Sequence, residues 1–175
     1  MTSVTIATDA DLEAVVALVN SAYRGDSSRA GWTTEADYLD GQRTDLATLR
    51  AELASRANAV VLLLRDEPTT PLLGSVRLEQ QSADTWHLGM LTVRPDLQNR
   101  QLGRTLLDAA ERFAAERGAR RMVMSVIDVR DTLIAWYERR GYSRTGVVTG
   151  FPYGDARFGE PRRDDLAFVE MEKTL

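Results

Sequence analysis

Residues 88–118, LGMLTVRPDLQNRQLGRTLLDAAERFAAERG, run a strand, a proline-broken loop and an amphipathic helix together without interruption. The strand ends near Val93 and Pro95 breaks it. Leu102, Leu106, Leu107, Ala110, Phe113 and Ala114 then recur at helical spacing, and Gly118 stops the helix. Met122–Ile127 follows as a second apolar strand. A strand–helix–strand passage of this kind is the crossover unit of a mixed or parallel sheet, with the helix packed on one face.

Around this unit the chain reads as more strands and short helices. Val4–Ile6 alternates as a strand, and Asp9 or Asp11 is placed to cap a helix carrying Leu12, Val15, Val16 and Val19. Residues 25–41 have no clean period and read as a partly helical loop. Asp45 is placed to cap a helix with Leu46, Leu49 and Leu53 on one face. Residues 59–64 are continuously apolar, as a central strand is. Residues 73–79 and 86–93 complete a meander. In the second half, residues 131–140 read as a helix turning Leu133, Ile134, Trp136 and Tyr137 inward, with Gly141 as its stop. Strands are expected at 142–149 and 166–171, separated by a loop at 151–165. Nothing in the 175 residues suggests a linker or a repeat, so one domain is expected.

Composition removes several chemistries. The chain has no cysteine and one histidine, His87, which excludes thiol nucleophiles, disulfides and Cys- or His-rich metal sites. No apolar run reaches the roughly 20 residues of a membrane span, and the N-terminus does not read as a signal peptide, so a cytoplasmic protein is expected. The formal net charge of -4 argues against nonspecific nucleic-acid binding. Residues 1–93 hold 7 basic and 13 acidic residues; residues 94–140 hold 10 arginines and 7 acids. An anionic ligand is expected on the second segment and a cationic substrate on the first.

The loop Gln98–Gly103 leads straight into the helix. A helix start leaves its first backbone N–H groups without internal partners, and the helix dipole adds positive potential there; together these suit a phosphate. Gly103 removes a side chain from that approach, and Arg100 and Arg104 can add charge-assisted bonds.

Two stretches resemble the signatures of the GCN5-related N-acetyltransferase (GNAT) superfamily. Val93-Arg94-Pro95-Asp96-Leu97-Gln98-Asn99-Arg100-Gln101-Leu102-Gly103 is similar to its cofactor motif, and Tyr137-Glu138-Arg139-Arg140-Gly141-Tyr142 to its later Tyr-x-x-x-Gly-Phe/Tyr segment. Gln101 stands where the family usually has glycine, and Arg130 where it often has asparagine. The resemblance implies an α/β (α+β) fold: a mixed, mostly antiparallel central sheet flanked by helices, with central strands splayed into an acyl-CoA cleft.

It further implies direct acetyl transfer from acetyl-CoA to a primary amine, without a metal. The implied cofactor residues are Leu91, Thr92, Val93, Gln98, Asn99, Arg100, Gln101, Leu102, Gly103, Arg104, Arg130 and Tyr137. Tyr137 would protonate the leaving thiolate. His87, Glu79 and Asp128 are rival general bases, and His87 has an ordinary pKa suited to neutral pH. Trp32, Glu35, Tyr38 and Asp40, with Phe151 and Tyr153, would line the acceptor side. The acceptor is expected to be a small cationic amine; a peptide N-terminus or lysine, and an acyl-CoA-binding module without turnover, are the alternatives. A homodimer is compatible with the family.

Overall fold

The computed structural model describes residues 1–175. A seven-stranded sheet runs in the order β1 (Ser3–Ile6), β3 (Val60–Arg65), β4 (Gly74–Gln80), β5 (Thr85–Val93), β6 (Arg121–Ile127), β9 (Ala167–Thr174), β7 (Ser143–Gly150). Every neighbouring pair is antiparallel except β5–β6. That one parallel join is forced by the crossover helix α3 (Leu102–Ala115). A separate two-stranded ribbon pairs β2 (Leu39–Asp40) with β8 (Glu160–Pro161).

The alternation of each strand sends its side chains to two cores. On one face Leu62, Leu64, Val76 and Leu78 pack against Leu106, Leu107 and Ala110 of α3, and against Ile134 and Tyr137 of α4 (Asp131–Glu138). On the other, Val61 and Leu63 meet Val15 and Val19 of α1 (Leu12–Tyr23) and Leu49 of α2 (Leu46–Ser55). Burial on both faces explains why β3 is apolar from Val60 to Leu64. Each fully buried leucine there contributes roughly 1.5–3 kcal/mol.

Asp45 caps α2, accepting a 2.8 Å bond from the Thr48 N–H. Asp11 occupies the N-cap position of α1, but its side chain makes no capping bond to the helix. Asp11 accepts from the Thr8 backbone and hydroxyl and pairs with Arg65, while Asp9 pairs with Arg50. The expected elements shift by only a few residues: α4 ends at Glu138, and the last strand runs on to Thr174. The β2–β8 ribbon lies inside the two stretches read as loops. Its strands are two residues long, too short for any alternation to register.

Candidate active site

β5 and β6 are joined only where Thr85–His87 meets Arg121–Val123. Beyond that they part. β5 also carries a bulge: Ser75 faces Thr92 and Arg77 faces Gly89, so Met90 and Leu91 together oppose Val76. Met90 adopts left-handed backbone, φ 50°. The bulge reverses the alternation. Leu88 packs toward α3, whereas Met90 packs toward α1 and α2. Two cavities open beside this stretch.

The first, about 450 Å³, lies against the start of α3. None of the backbone N–H groups from Gln98 to Arg104 donates to a protein acceptor; the first to do so is Thr105, to the Gln101 carbonyl. Asn99 and Gln101 reach this arrangement through left-handed backbone, φ 71° and 62°. Arg104, Arg139 and Arg140 line the same cavity with Leu133 and Trp136. Burial, then the neighbouring Arg139 and Arg104, push the Arg140 guanidinium below its ordinary pKa. Unpaired amides, a helix N-terminus and clustered arginines fit the pyrophosphate of a coenzyme A, and the apolar wall fits its arm. The glycine at position 103 also serves packing, since a Cβ there would stand 3.4 Å from Trp136.

The second cavity, about 470 Å³, lies beneath β2 and the loop after β7. Tyr23, Leu91, Arg130, Leu133 and Tyr137 line both cavities and mark their junction. The Tyr23 hydroxyl donates to the Leu91 carbonyl at 3.2 Å. Burial raises the pKa of Tyr23, and it raises that of Tyr137 with Tyr23 adding to the effect, so both phenols stay protonated.

Four arginines line the second cavity: Arg24, Arg43, Arg77 and Arg130. The one carboxylate among them is Glu35, which accepts from Arg24 at 2.7 Å and Arg130 at 2.8 Å. Burial opposes ionisation of Glu35, but Arg130, Arg24 and Arg43 hold its pKa below the usual carboxylate range. Arg77 pairs with Glu52 and lies along Gly89, where a Cβ would come within 3.1 Å of its guanidinium.

The rival bases separate clearly. His87 lines the second cavity; Glu79 and Asp128 do not. Glu79 is buried against Arg56, and Asp128 accepts from the Ala167 N–H. Burial lowers the His87 pKa to about 4, with Arg77 and Arg56 pushing the same way and Glu79 opposing. His87 is therefore neutral at pH 7, and a weaker base than its ordinary value suggests.

The expected cofactor residues gather at the first cavity, where Leu91, Thr92, Val93, Gln98, Asn99, Gln101, Gly103, Arg104 and Arg130 all line the wall. Arg100 is exposed outside it, and Leu102 turns its side chain into the core. The acceptor side departs further from expectation. Glu35 is consumed by two arginines. Asp40 faces Arg162 and Tyr38 lies under Arg163, both outside the cavity. Tyr153 accepts from the Leu166 N–H rather than lining the wall, whereas Phe151 does line it. Trp32 stands at the cofactor cavity, 6.4 Å from Trp136, and its backbone N–H donates to Gln98. Glu35 and Asp40 are thus paired, one within the protein and one on the surface, and the cavity is cationic rather than anionic.

Tyr23, Arg24, Arg43, Arg77, Arg139 and Arg140 were not marked by the sequence reading. Arg77 left one trace, a charge inside a strand that is buried on both faces. Arg139 and Arg140 adjoin the Tyr137 motif.

No group of three or more His, Asp and Glu residues is arranged to hold a metal ion, and no helix is long and apolar enough to cross a membrane. Among solved structures, the ribosomal-protein-S18-alanine N-acetyltransferase of Escherichia coli superposes with a TM-score of 0.71 at 17% identity, covering 99% of this chain and 94% of that one. The ribosomal-protein-alanine N-acetyltransferase of Brucella melitensis gives 0.70 at 20%, covering 99% of each chain. A nourseothricin acetyltransferase gives 0.68 at 18%, covering 99% and 98%. At such identities the likeness is one of fold. No curated protein matches the sequence. The model of the acetyltransferase (GNAT) family matches residues 13–142. With that match and the splayed β5–β6 cleft, the chain belongs to the GNAT family of acetyl-CoA-dependent acyltransferases.

Proposed function

We propose that the protein transfers an acetyl group from acetyl-CoA directly to the primary amine of a small molecule, at the junction of the two cavities. The observation that carries this reading is the shared wall of Tyr23, Leu91, Arg130, Leu133 and Tyr137 between a phosphate-suited cavity and a second, separate one. Acetyl-CoA supplies a thioester whose carbonyl carbon an amine nitrogen can attack, with the thiol as leaving group.

The chain's residues divide the work. The free amides from Gln98 to Arg104 and the arginines Arg104, Arg139 and Arg140 anchor the phosphates. The bulge at Met90–Leu91 re-aims the β5 backbone toward the junction, where a backbone donor would face developing negative charge on the carbonyl oxygen. Tyr137 holds its proton at the junction and delivers it to the departing sulfur. His87 is too weak a base to strip an ammonium. It receives a proton only after the nitrogen has bonded to carbon and become acidic. The surrounding arginines disfavour an ammonium, so the amine is captured in its neutral form. Holding nucleophile and carbonyl in line then supplies most of the rate.

The test is release of free CoA from acetyl-CoA against a panel of amines, with Tyr137→Phe beside the wild type. Amine-dependent release that falls in the variant supports the reading. Tight acetyl-CoA binding with no release for any amine overturns it.

A further inference from the structure

We infer that the acceptor is amino-acid-like, carrying an oxyanion, foremost a carboxylate, beside its amine, and that Arg43 receives that oxyanion. This rests on the acyltransferase reading above and names the class of molecule that the second cavity takes.

The charge balance leads there first. The four lining guanidiniums face one lining carboxylate, Glu35, and one carboxylate from outside the wall, Glu52 on Arg77. Two positive charges stay uncompensated in a cavity of about 470 Å³. A polyamine or other purely cationic ligand would enter against that field, whereas a carboxylate neutralises it.

Arg43 is the group best placed to act. Its guanidinium has neither a hydrogen-bond acceptor nor an ion-pair partner in the protein, although its side chain is half-buried; it stands 5.6 Å from the Tyr23 ring. Its backbone is held rigidly. The N–H groups of Arg43 and Thr44 donate to the Asn20 amide oxygen at 2.8 and 3.1 Å, and the Asn20 amide donates to the Thr44 carbonyl at 2.9 Å. That clamp fixes the stem on α1 while leaving the head free, as a preorganised oxyanion fork requires.

A second observation points the same way. The Nε atoms of Arg24, Arg77 and Arg130 are buried without any acceptor, and all three residues line this cavity. Buried guanidiniums that are not fully paired within the protein keep the wall electropositive, which adds to the attraction for an anion. The same field serves the chemistry at the other end of the ligand, since it disfavours an ammonium and leaves the nitrogen lone pair available beside neutral His87.

The experiment uses matched pools at neutral pH with acetyl-CoA: α-amino acids, their carboxamides, aminoalkylphosphonates, and polyamines with aminoglycosides. Acetylated products are read by mass spectrometry. Thermal shifts of the CoA-saturated protein with each pool give a readout independent of turnover. The expected result is acetylation of the amino-acid pool and loss of it on amidation. Arg43→Gln should raise the acceptor KM by about tenfold or more, Arg43→Lys by less, with the KM for acetyl-CoA unchanged. Preference for aminoalkylphosphonates over carboxylates would keep the oxyanion site but reassign its ligand. Equal or better acetylation of carboxamides or polyamines overturns the inference. If no pool is acetylated but the amino-acid pool still stabilises the wild type and not Arg43→Gln, the transferase reading fails and the oxyanion site stands. If neither acetylation nor stabilisation occurs, the inference is overturned.

Discussion

Glu35 and Arg130, 95 residues apart in the chain, share a buried 2.8 Å hydrogen bond. Arg24 holds the other oxygen of the same carboxylate at 2.7 Å. The bonds tie the segment after α1 to the N-terminus of α4, at the wall between the two cavities. Removing one partner of a buried ion pair leaves uncompensated charge. Glu35→Ala is therefore expected to cost about 3–5 kcal/mol of stability, read by urea unfolding. A loss below about 1 kcal/mol would show that water enters and screens the two guanidiniums.

Tyr137→Phe removes one hydroxyl at the junction and leaves the ring packed between Trp136 and Tyr142. Its kcat should fall roughly 10²–10⁴-fold, the usual weight of a general acid, with the KM for acetyl-CoA and the unfolding midpoint nearly unchanged. A fall in stability with kcat intact would make the residue a packing element only.

The pH profile separates two sources of proton transfer. His87 is held at about 4, so its ionisation lies below the working range. The kcat/KM should rise with pH along the acceptor amine's own titration and show no step near the ordinary histidine value. Stability carries the His87 ionisation instead, in a window below the working range. The unfolded chain binds the His87 proton near 6.5 and the folded chain only near 4, so the fold is favoured fully above about pH 6.5 and loses that advantage as pH drops toward 4. The shift corresponds to at most about 3 kcal/mol. His87→Gln should flatten that part of the stability curve, measured by chemical unfolding at stepped pH, and an unchanged slope would contradict the assignment.

Gln101 reaches φ 62° at the entry to α3, a conformation in which glycine is at ease and a side chain is strained. Gln101→Gly is expected to leave stability unchanged or raise it by up to about 1 kcal/mol, partly offset by the greater freedom of the unfolded chain. Gln101→Val should lower it by more than that and weaken acetyl-CoA binding, both read by calorimetry.

Much of this was legible in the sequence where periodicity or a motif acts locally. The crossover from β5 to β6 follows from the residues themselves, and the run of unpaired amides at Gln98–Arg104 from the polar loop that opens α3. The acceptor side was not legible, for an equally physical reason. Glu35 and Asp40 look like part of a cation site when counted along the chain, but their partners Arg130 and Arg162 arrive from distant parts of it, which no local pattern encodes. The charge of a cavity depends on which side chains remain unpaired after folding. The cavity sign was misread for that reason, and Arg43, unpaired but featureless in sequence, went unmarked.

The ribbon joining Leu39–Asp40 to Glu160–Pro161 gives the segments at 25–41 and 151–165 a common fate. The two are paired in a single register, so a change of length in one must be absorbed across the pair. Grafting a single loop from a relative would unseat both, and acceptor preference in this protein should change only when the loops are exchanged together.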